Sequence, residues 1–384
     1  MAHAESQNSL LVLGVHLKSE GYPNTLYRLQ DLETSGLFCI NEINVPMWTE
    51  STQNHHGFSR LTRSGWRATC AHIAVIARYL VTARRSNRVY VPYPGVFVLF
   101  LLSCLPSRLR PRRVVADVFI SLYDTIVLDR RLLKRGGVFA RILKWVETRA
   151  YVYADKLVVD TEQNARFICT LFSLPESKAI VTPLSIDETH FKFTPYQPQP
   201  GICRVLFVGT LVPLHGIGTL LEAARLLSGR SDIQFKLIGD GQDAHLVEAC
   251  LKSQAMQLEW VRDWQASSRI AEEISQADIC LGIFGAGNKT QRVCPFKTYA
   301  YASVGRAIIT GETKWLKETT ARSSCEPFAS VPVNNAAALA AKIVQLADDP
   351  RLRGKLAASS HAFYQTHLGN RPALEKLSSC LLDH

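Results

Sequence analysis

Short apolar runs recur along the chain, each stopped by a glycine, a proline or a polar turn and followed by residues with apolar positions at helical spacing. Leu10–Val15 is the first, followed by the polar loop His16–Asn24 and an expected helix at Leu26–Leu32. Val89–Val91 is a short strand ended by Pro92 and Pro94. Val114–Ile120 reads as a longer strand closing on Ser121–Leu122–Tyr123–Asp124–Thr125. Phe139–Tyr153 carries its apolar residues on one side, as a long helix does. Leu157–Val159 is a strand whose following Asp160–Thr161–Glu162 caps a helix, and Ala179–Val181 precedes Pro183. Thr194–Pro200 is rich in proline and poor in apolar residues, and reads as a linker.

Beyond that linker the alternation restarts. Strands are expected at Val205–Val208, Gln234–Ile238, Leu258–Trp260, Ile279–Gly282, Ala307–Ile309 and Ala329–Pro332, with helices of ordinary length between them. Strand–helix alternation on both sides of a linker predicts an α/β protein of two doubly wound, Rossmann-like parallel sheets, with ligands at the carboxyl ends of the strands. The expected domains are residues 1–193 and 201–370, with a helix at 371–384 that could pack back on the first.

A chain of 384 residues, 47% hydrophobic and 20% charged, supports two ordinary cores and excludes disorder. The 44 Lys and Arg against 33 Asp and Glu leave a net charge of +11, which suits an anionic partner. The ten cysteines include no CxxC pair, so neither a metal site nor a disulfide framework is expected, and a reducing, cytoplasmic location fits. No charged segment precedes Leu10–Val15, which is too short for a signal peptide. The longest apolar run, Val96–Leu105, has about half of the roughly 20 residues that a spanning helix needs. It is followed by Arg108, Arg110, Arg112 and Arg113, with Arg84, Arg85 and Arg88 nearby. Arg130, Arg131, Lys134 and Arg135 precede a helix with Val138, Phe139, Ile142 and Trp145. Two readings stand together: an interfacial surface for anionic lipid on the inner face of a membrane, or a buried helix with a solvated basic end. Nucleic acid is not expected, because no basic motif is interleaved with aromatics.

Candidate chemistry gathers in Val205–Gly241. A buried strand runs into a turn with Gly209 and Gly216, a helix follows, and a second strand ends at Gly239–Asp240–Gly241. Such turns bring backbone N–H groups close to an anion. Further on, Lys289, Arg292 and Lys297 lie after another buried strand, and Pro295 suits a helix start. Their clustering with the glycine turns favours diphosphate binding over solvated surface cations, Lys297 first and Arg292 second. No GxGxxG follows a strand with an acid about 20 residues on, which disfavours a nicotinamide enzyme. In the first half, Asp117 and Asp124 flank a strand end and could orient a bound substrate or accept a proton; the alternative is that they are capping and turn carboxylates.

The blocks Ala277–Gly285 and Gln291–Ala300, together with Gly209–Gly216 and Gly239–Gly241, resemble the donor site of GT-B glycosyltransferases of the large retaining family called group 1, or family 4. Asp117–Thr125 and Ala154–Thr161 are similar to a bacterial branch of it that assembles polysaccharides, and the resemblance spans roughly residues 10–345. It implies two Rossmann-like domains facing across a cleft, with a nucleotide diphosphate-sugar on the second and a saccharide or lipid-linked acceptor on the first. It implies hexosyl transfer with retention at one face of the sugar, the leaving phosphate taking the acceptor proton, with no metal or cofactor. It places Gly209, Thr210, His215, Gly216, Gly239, Asp240, Lys289, Arg292, Lys297 and Tyr299 at the donor, and Gly21, Tyr22 and Asn24 in a loop near phosphate and acceptor. The family often has Arg and Lys where Thr210 and His215 stand, and glutamates at the positions of Arg292 and Ala300. The loss at Ala300 keeps a second reading open, a catalytically silent relative acting as a binding or regulatory protein.

Overall fold

The computed structural model describes residues 8–16, 18, 23–46, 61–83, 88–198, 201–252, 258–263, 265–321 and 326–383. The chain divides into two compact units, Met1–Ser185 with Asn370–His384, and Ile186–Gly369.

The first unit carries strands β1 (Ser9–Gly14), β2 (Cys39–Asn44), β3 (Arg88–Val91), β4 (Arg113–Asp117), β5 (Lys156–Val159) and β6 (Ala179–Val181) in one sheet of order β2-β1-β3-β4-β5-β6. Every pairing is parallel. Its helices are α1 (Pro23–Thr34), α2 (Leu61–Arg78), α3 (Val96–Cys104), α4 (Val138–Tyr153) and α5 (Glu162–Phe172). Helices on both faces explain why β1 is an unbroken apolar run. Leu11 and Leu13 point into one core with Val75, Leu99 and Ile168, whereas Leu10 and Val12 point into another with Leu29, Leu377 and Leu381. The last two belong to the C-terminal helix Asn370–Leu382, which closes the second face of this sheet.

The run Val96–Leu105 has a plain explanation here. It forms α3, and Val96, Val98, Leu99 and Leu102 are core residues. Of the two readings open at this run, most of its own side chains fit the packed helix, though Phe97 remains exposed, and Arg110 behind it donates to the Leu105 and Ser103 carbonyls. The strand expected to reach Ile120 stops at Asp117, because the next residues turn around Glu147 of α4. That carboxylate is buried and accepts from Ser121 Oγ (3.1 Å), Leu122 N (2.8 Å), Tyr123 N (2.7 Å) and Tyr151 Oη (2.6 Å). Burial pushes its pKa up, and these four donors oppose the rise.

The second unit carries β7 (Cys203–Val208), β8 (Ile233–Ile238), β9 (Leu258–Val261), β10 (Ile279–Leu281), β11 (Ala307–Gly311) and β12 (Ala329–Val331), all parallel, in the order β12-β11-β10-β7-β8-β9. Between them run α6 (Ile217–Leu226), α7 (Ala244–Lys252), α8 (Ser267–Gln276) and α9 (Phe296–Val304), followed by the helices Lys314–Thr320, Ala336–Asp348 and Pro350–Phe363. The proline-rich stretch is clamped to this unit as far as it is described. Thr194 N donates to the Val304 carbonyl, Arg306 Nη1 to the Thr194 carbonyl, and Arg353 Nε to Tyr196 Oη. Gln199 and Pro200 lie outside the described residues. No helix among the described residues is long and apolar enough to cross a membrane.

Candidate functional site

In the second sheet the chain order reverses between β7 and β10, which lie side by side. A doubly wound sheet opens a crevice at the carboxyl ends of such a strand pair. β7 ends there at Gly209, and β10 runs into Gly282–Gly285. Helices that follow parallel strands start at this edge, so the N-termini of α6 and α9 both point their free N–H groups at it.

The glycines knit this edge together. Gly216 has φ +67°, and a Cβ there would meet the Phe284 carbonyl carbon and Gly285 N at 2.6 Å. Gly209 has φ +144°, and a Cβ there would sit 2.9 Å from Lys297 Cε and Nζ. Gly239 stacks against the Gly209 carbonyl in the same manner, and Trp260 Nε1 donates to the Gly239 carbonyl (2.9 Å). The close approaches expected toward a ligand are here approaches of turn to turn and of turn to lysine.

Lys297 sits in the first turn of α9 behind Pro295 and is only 7% exposed. Its ammonium lies 3.6 Å from the centroid of Phe207, and Nζ has no hydrogen-bond partner among the described residues. Burial without a counter-charge drives its pKa well below the usual lysine value. The positive end of α9 acts in the same sense. An anion at this edge would relieve both.

His215 faces the same spot, packed edge-on to Phe207 with ring centroids 5.6 Å apart. Its Nδ1 bonds the Thr210 carbonyl, which can only accept, so the proton sits on Nδ1 and Nε2 is left as an acceptor. Burial, and after it the charge of Lys297, push the imidazole pKa well below its ordinary value. His215 is therefore neutral and does not replace a missing cation. Thr210 is exposed at the rim.

The other donor-site residues divide. Arg292 is 5% exposed and donates through Nε to Asn288 Oδ1 (3.2 Å). Lys289 is half-buried on the same loop. Asp240 accepts from Gly241 N (2.8 Å) and pairs with Arg262 (3.1 Å), so it braces its own turn. Tyr299 is 1% exposed inside α9, in the core rather than on an accessible wall. Ala300 is likewise buried, and α9 contains no acidic residue. Among the described residues no three His, Cys, Asp or Glu side chains gather as a metal site. A cavity of about 590 Å³ lies elsewhere on this unit, toward the amino ends of β7 and β8. Among its lining residues Lys236 pairs with Glu273 (2.8 Å) and Glu259 (2.9 Å).

In the first unit the reversal falls between β1 and β3. Asp117, at the end of β4, is 3% exposed and receives Arg28 Nη1 (2.8 Å), Tyr90 Oη (3.2 Å) and Asn24 Nδ2 (3.3 Å). Burial pushes its pKa up, and the Arg28 charge, next in weight, pulls it back. Asn24 also accepts from Ser185 N (3.0 Å), and Arg28 Nη2 donates to the Pro183 carbonyl (2.6 Å). This buried polar cluster ties α1 to three strand ends. Asp124 is buried at the Ser121 turn, with its backbone N–H donating to Ser121 Oγ (3.1 Å). The two acids thus occupy separate structural settings. Gly21 and Tyr22 lie outside the described residues.

One pair went unseen in the sequence. His16, fully buried just past β1, places Nε2 3.1 Å from Glu42 Oε1, and Lys18 Nζ is 2.7 Å from the other oxygen. The His16 hydrogen bond, opposed by burial and aided by Lys18, holds the Glu42 carboxyl at about 2. The signal for His16 was its place directly after the first strand; Glu42 lies past the end of no expected strand, since β2 was not expected.

Residues 203–349 match the family model described as Glycosyl transferases group 1. The resemblance drawn from the donor-block residues is borne out over this stretch. Solved structures share the architecture of the whole chain. Sucrose-phosphate synthase from Thermosynechococcus elongatus superposes with a TM-score of 0.71 at 13% identity, over 97% of this chain and 98% of its own. HepE from Anabaena, in complex with UDP-glucose, gives 0.65 at 12%, over 97% and 99%. WaaG, a glycosyltransferase involved in lipopolysaccharide biosynthesis, gives 0.60 at 12%, over 97% and 99%. The fold is therefore the GT-B fold of two doubly wound units. No curated protein matches the chain by sequence.

Proposed function

We propose that the protein is a glycosyltransferase that moves a hexose-like sugar from a nucleoside diphosphate donor to a saccharide or lipid-linked acceptor. The anomeric configuration is retained, and the work belongs to surface polysaccharide or glycolipid assembly, in the cytoplasm and peripheral to the inner face of the membrane. The donor belongs to the second unit and the acceptor to the first. The observation that carries this reading is Lys297, a buried ammonium with no counter-charge at the carboxyl edge of β7, between two helix N-termini. Breaking the bond between sugar and diphosphate leaves added negative charge on the leaving oxygen. Lys297 and the N–H groups of α6 and α9 would meet that charge in place, without reorganisation. His215, neutral and locked to Thr210, would offer Nε2 to a sugar hydroxyl. The family match over residues 203–349 supports the reaction class, and UDP-glucose bound to HepE supports uridine as the first base to try.

The test is a thermal-shift and calorimetric panel of UDP, GDP and ADP with their sugars, followed by assay of sugar release. One nucleotide, with UDP expected, should raise the melting temperature, and its sugar should be released slowly to water. If no nucleoside diphosphate binds, the proposal fails. A second reading is favoured by Ala300, which leaves α9 without a carboxylate for the ribose hydroxyls: a silent relative that binds nucleotide only. Nucleotide binding with no release of sugar, alone or with acceptor, would select it.

A further inference from the structure

The charge of this chain is not spread over it. Between Arg60 and Arg149 stand 18 Lys and Arg and only 4 Asp and Glu, so the rest of the chain holds three more acids than bases. Of those four acids Asp117, Asp124 and Glu147 are buried, leaving Asp129 at the surface of the stretch. The excess positive charge of the chain therefore falls within one stretch of the first unit's sequence, which holds few acids to offset it.

The same part exposes its largest apolar side chains. Along one face of α4, Val138, Ile142, Trp145 and Val152 are 67%, 52%, 58% and 56% exposed, and Phe139 beside them is 74% exposed. Spacings of three, four and seven residues put the first four in a single strip. Arg130, Arg131, Lys134 and Arg135 are exposed at the head of this helix, and Arg141 and Arg149 along it. The strip continues onto two neighbouring helices. Trp145 meets Phe100 of α3 edge-on at 5.3 Å, and Phe97, one turn earlier on α3 and 42% exposed, meets His72 of α2 at 5.6 Å. Next to His72, Ile73 is 59% exposed, and Trp66 two turns before it is 72% exposed. Exposed apolar side chains thus run from α4 across α3 to α2, with the cations at the head of α4 and along it beside them.

We propose that this three-helix face is the surface by which the first unit rests on an anionic lipid bilayer, with Phe139, Ile142 and Trp145 entering the headgroup boundary and the arginines meeting lipid phosphates. Apolar surface alone would suit a second copy of the chain. Two such faces together would oppose two uncompensated arrays of cations, which argues for lipid. The chemistry fits the interface: arginine forks match phosphate, and tryptophan and phenylalanine settle between water and acyl chain. The inference deepens the reading of a lipid-linked acceptor but rests on the charge and exposure of the first unit alone.

The test is co-sedimentation of the full chain with vesicles of phosphatidylcholine, pure or with half phosphatidylglycerol. Partition onto the anionic vesicles should be at least about tenfold stronger and should fall steeply between about 0.05 M and about 0.5 M salt. Phe139→Ser with Ile142→Ser should lower it about tenfold or more, and Lys134→Gln with Arg135→Gln should flatten the salt dependence. All four sites are exposed, so the variants should melt as the parent does and keep nucleotide binding, whereas Lys297→Met should keep vesicle binding. Equal partition onto both vesicles, or substituted proteins that bind as the parent does, would overturn the proposal. So would a dimer in solution that the apolar substitutions dissolve.

Discussion

Lys297→Met gives a protein that melts higher than the parent and binds a nucleoside diphosphate at least about tenfold more weakly. Both effects come from one side chain. In the free protein its ammonium is buried against Phe207 with no partner, a cost that a methionine of similar length does not carry. In the complex the same ammonium supplies a charge-assisted hydrogen bond, worth about 1.5–3 kcal/mol, or about 10- to 150-fold in affinity. The stability gain depends on pH in a defined direction. The folded pKa lies well below 10.5 and the unfolded value near it, so between the two the unfolded chain holds one more proton. Parent stability from this group thus rises with pH through that window, and the gap to Lys297→Met narrows as pH approaches 10.5. Melting curves across pH, with UDP titrations beside them, check both arms. A variant that melts lower and binds UDP unchanged would show Lys297 to be a packing residue.

Asp117→Ala is expected to destabilise the first unit by about 3–5 kcal/mol, because it strands Arg28 as a buried charge. For a unit of this size that is roughly 10 °C in melting temperature. Tyr90 and Asn24 lose a shared acceptor at the same time. Arg28→Met with Asp117→Leu should recover a large part of the loss, since it removes both charges, although the hydroxyl of Tyr90 remains without its acceptor. Denaturant unfolding of the two single variants and the double variant measures this. The outcome bears on chemistry: a carboxylate that takes the acceptor proton would be dispensable for folding, and its alanine variant would melt normally while turnover collapsed. The buried ion pair argues for the first outcome.

The strands that were legible in the sequence were those buried on both faces. Leu10–Leu13, Val114–Ala116 and Val205–Phe207 carry apolar residues at consecutive positions, and the structure sets each in the middle of a parallel sheet. β2 escaped because Cys-Ile-Asn-Glu-Ile-Asn lies at a sheet edge, largely exposed, and alternates with polar side chains that read as loop. Val118–Ile120 was read as strand from composition, yet a single carboxylate far along the chain, Glu147, pulls the backbone into a turn. No local pattern announces such a partner. The site was legible where it depends on backbone: the glycine turns and the start of α9 fell where expected. It was not legible where it depends on burial. Nothing in the sequence distinguishes Lys297, stripped of partners, from Arg292, which has one, or shows that Tyr299 faces inward. Ala300 gains meaning only with the helix in view. Residues 297 and 300 are three apart in α9 and share a face, so the glutamate that the resembled family commonly carries there would stand beside the ammonium. Alanine leaves it bare.

An amine whose pKa is held down in the empty protein and raised by a bound diphosphate takes up a proton from the solution at any pH between the two values. Donor association would then be a proton-uptake reaction, and its measured heat would change with the ionisation enthalpy of the buffer. Calorimetry in phosphate and in Tris should give binding heats that differ, with Lys297→Met abolishing the difference; identical heats would mean that the ammonium is already charged before the donor arrives. Weakening toward high pH would follow from the same step, so the enzyme's hold on its donor would track the supply of protons around it.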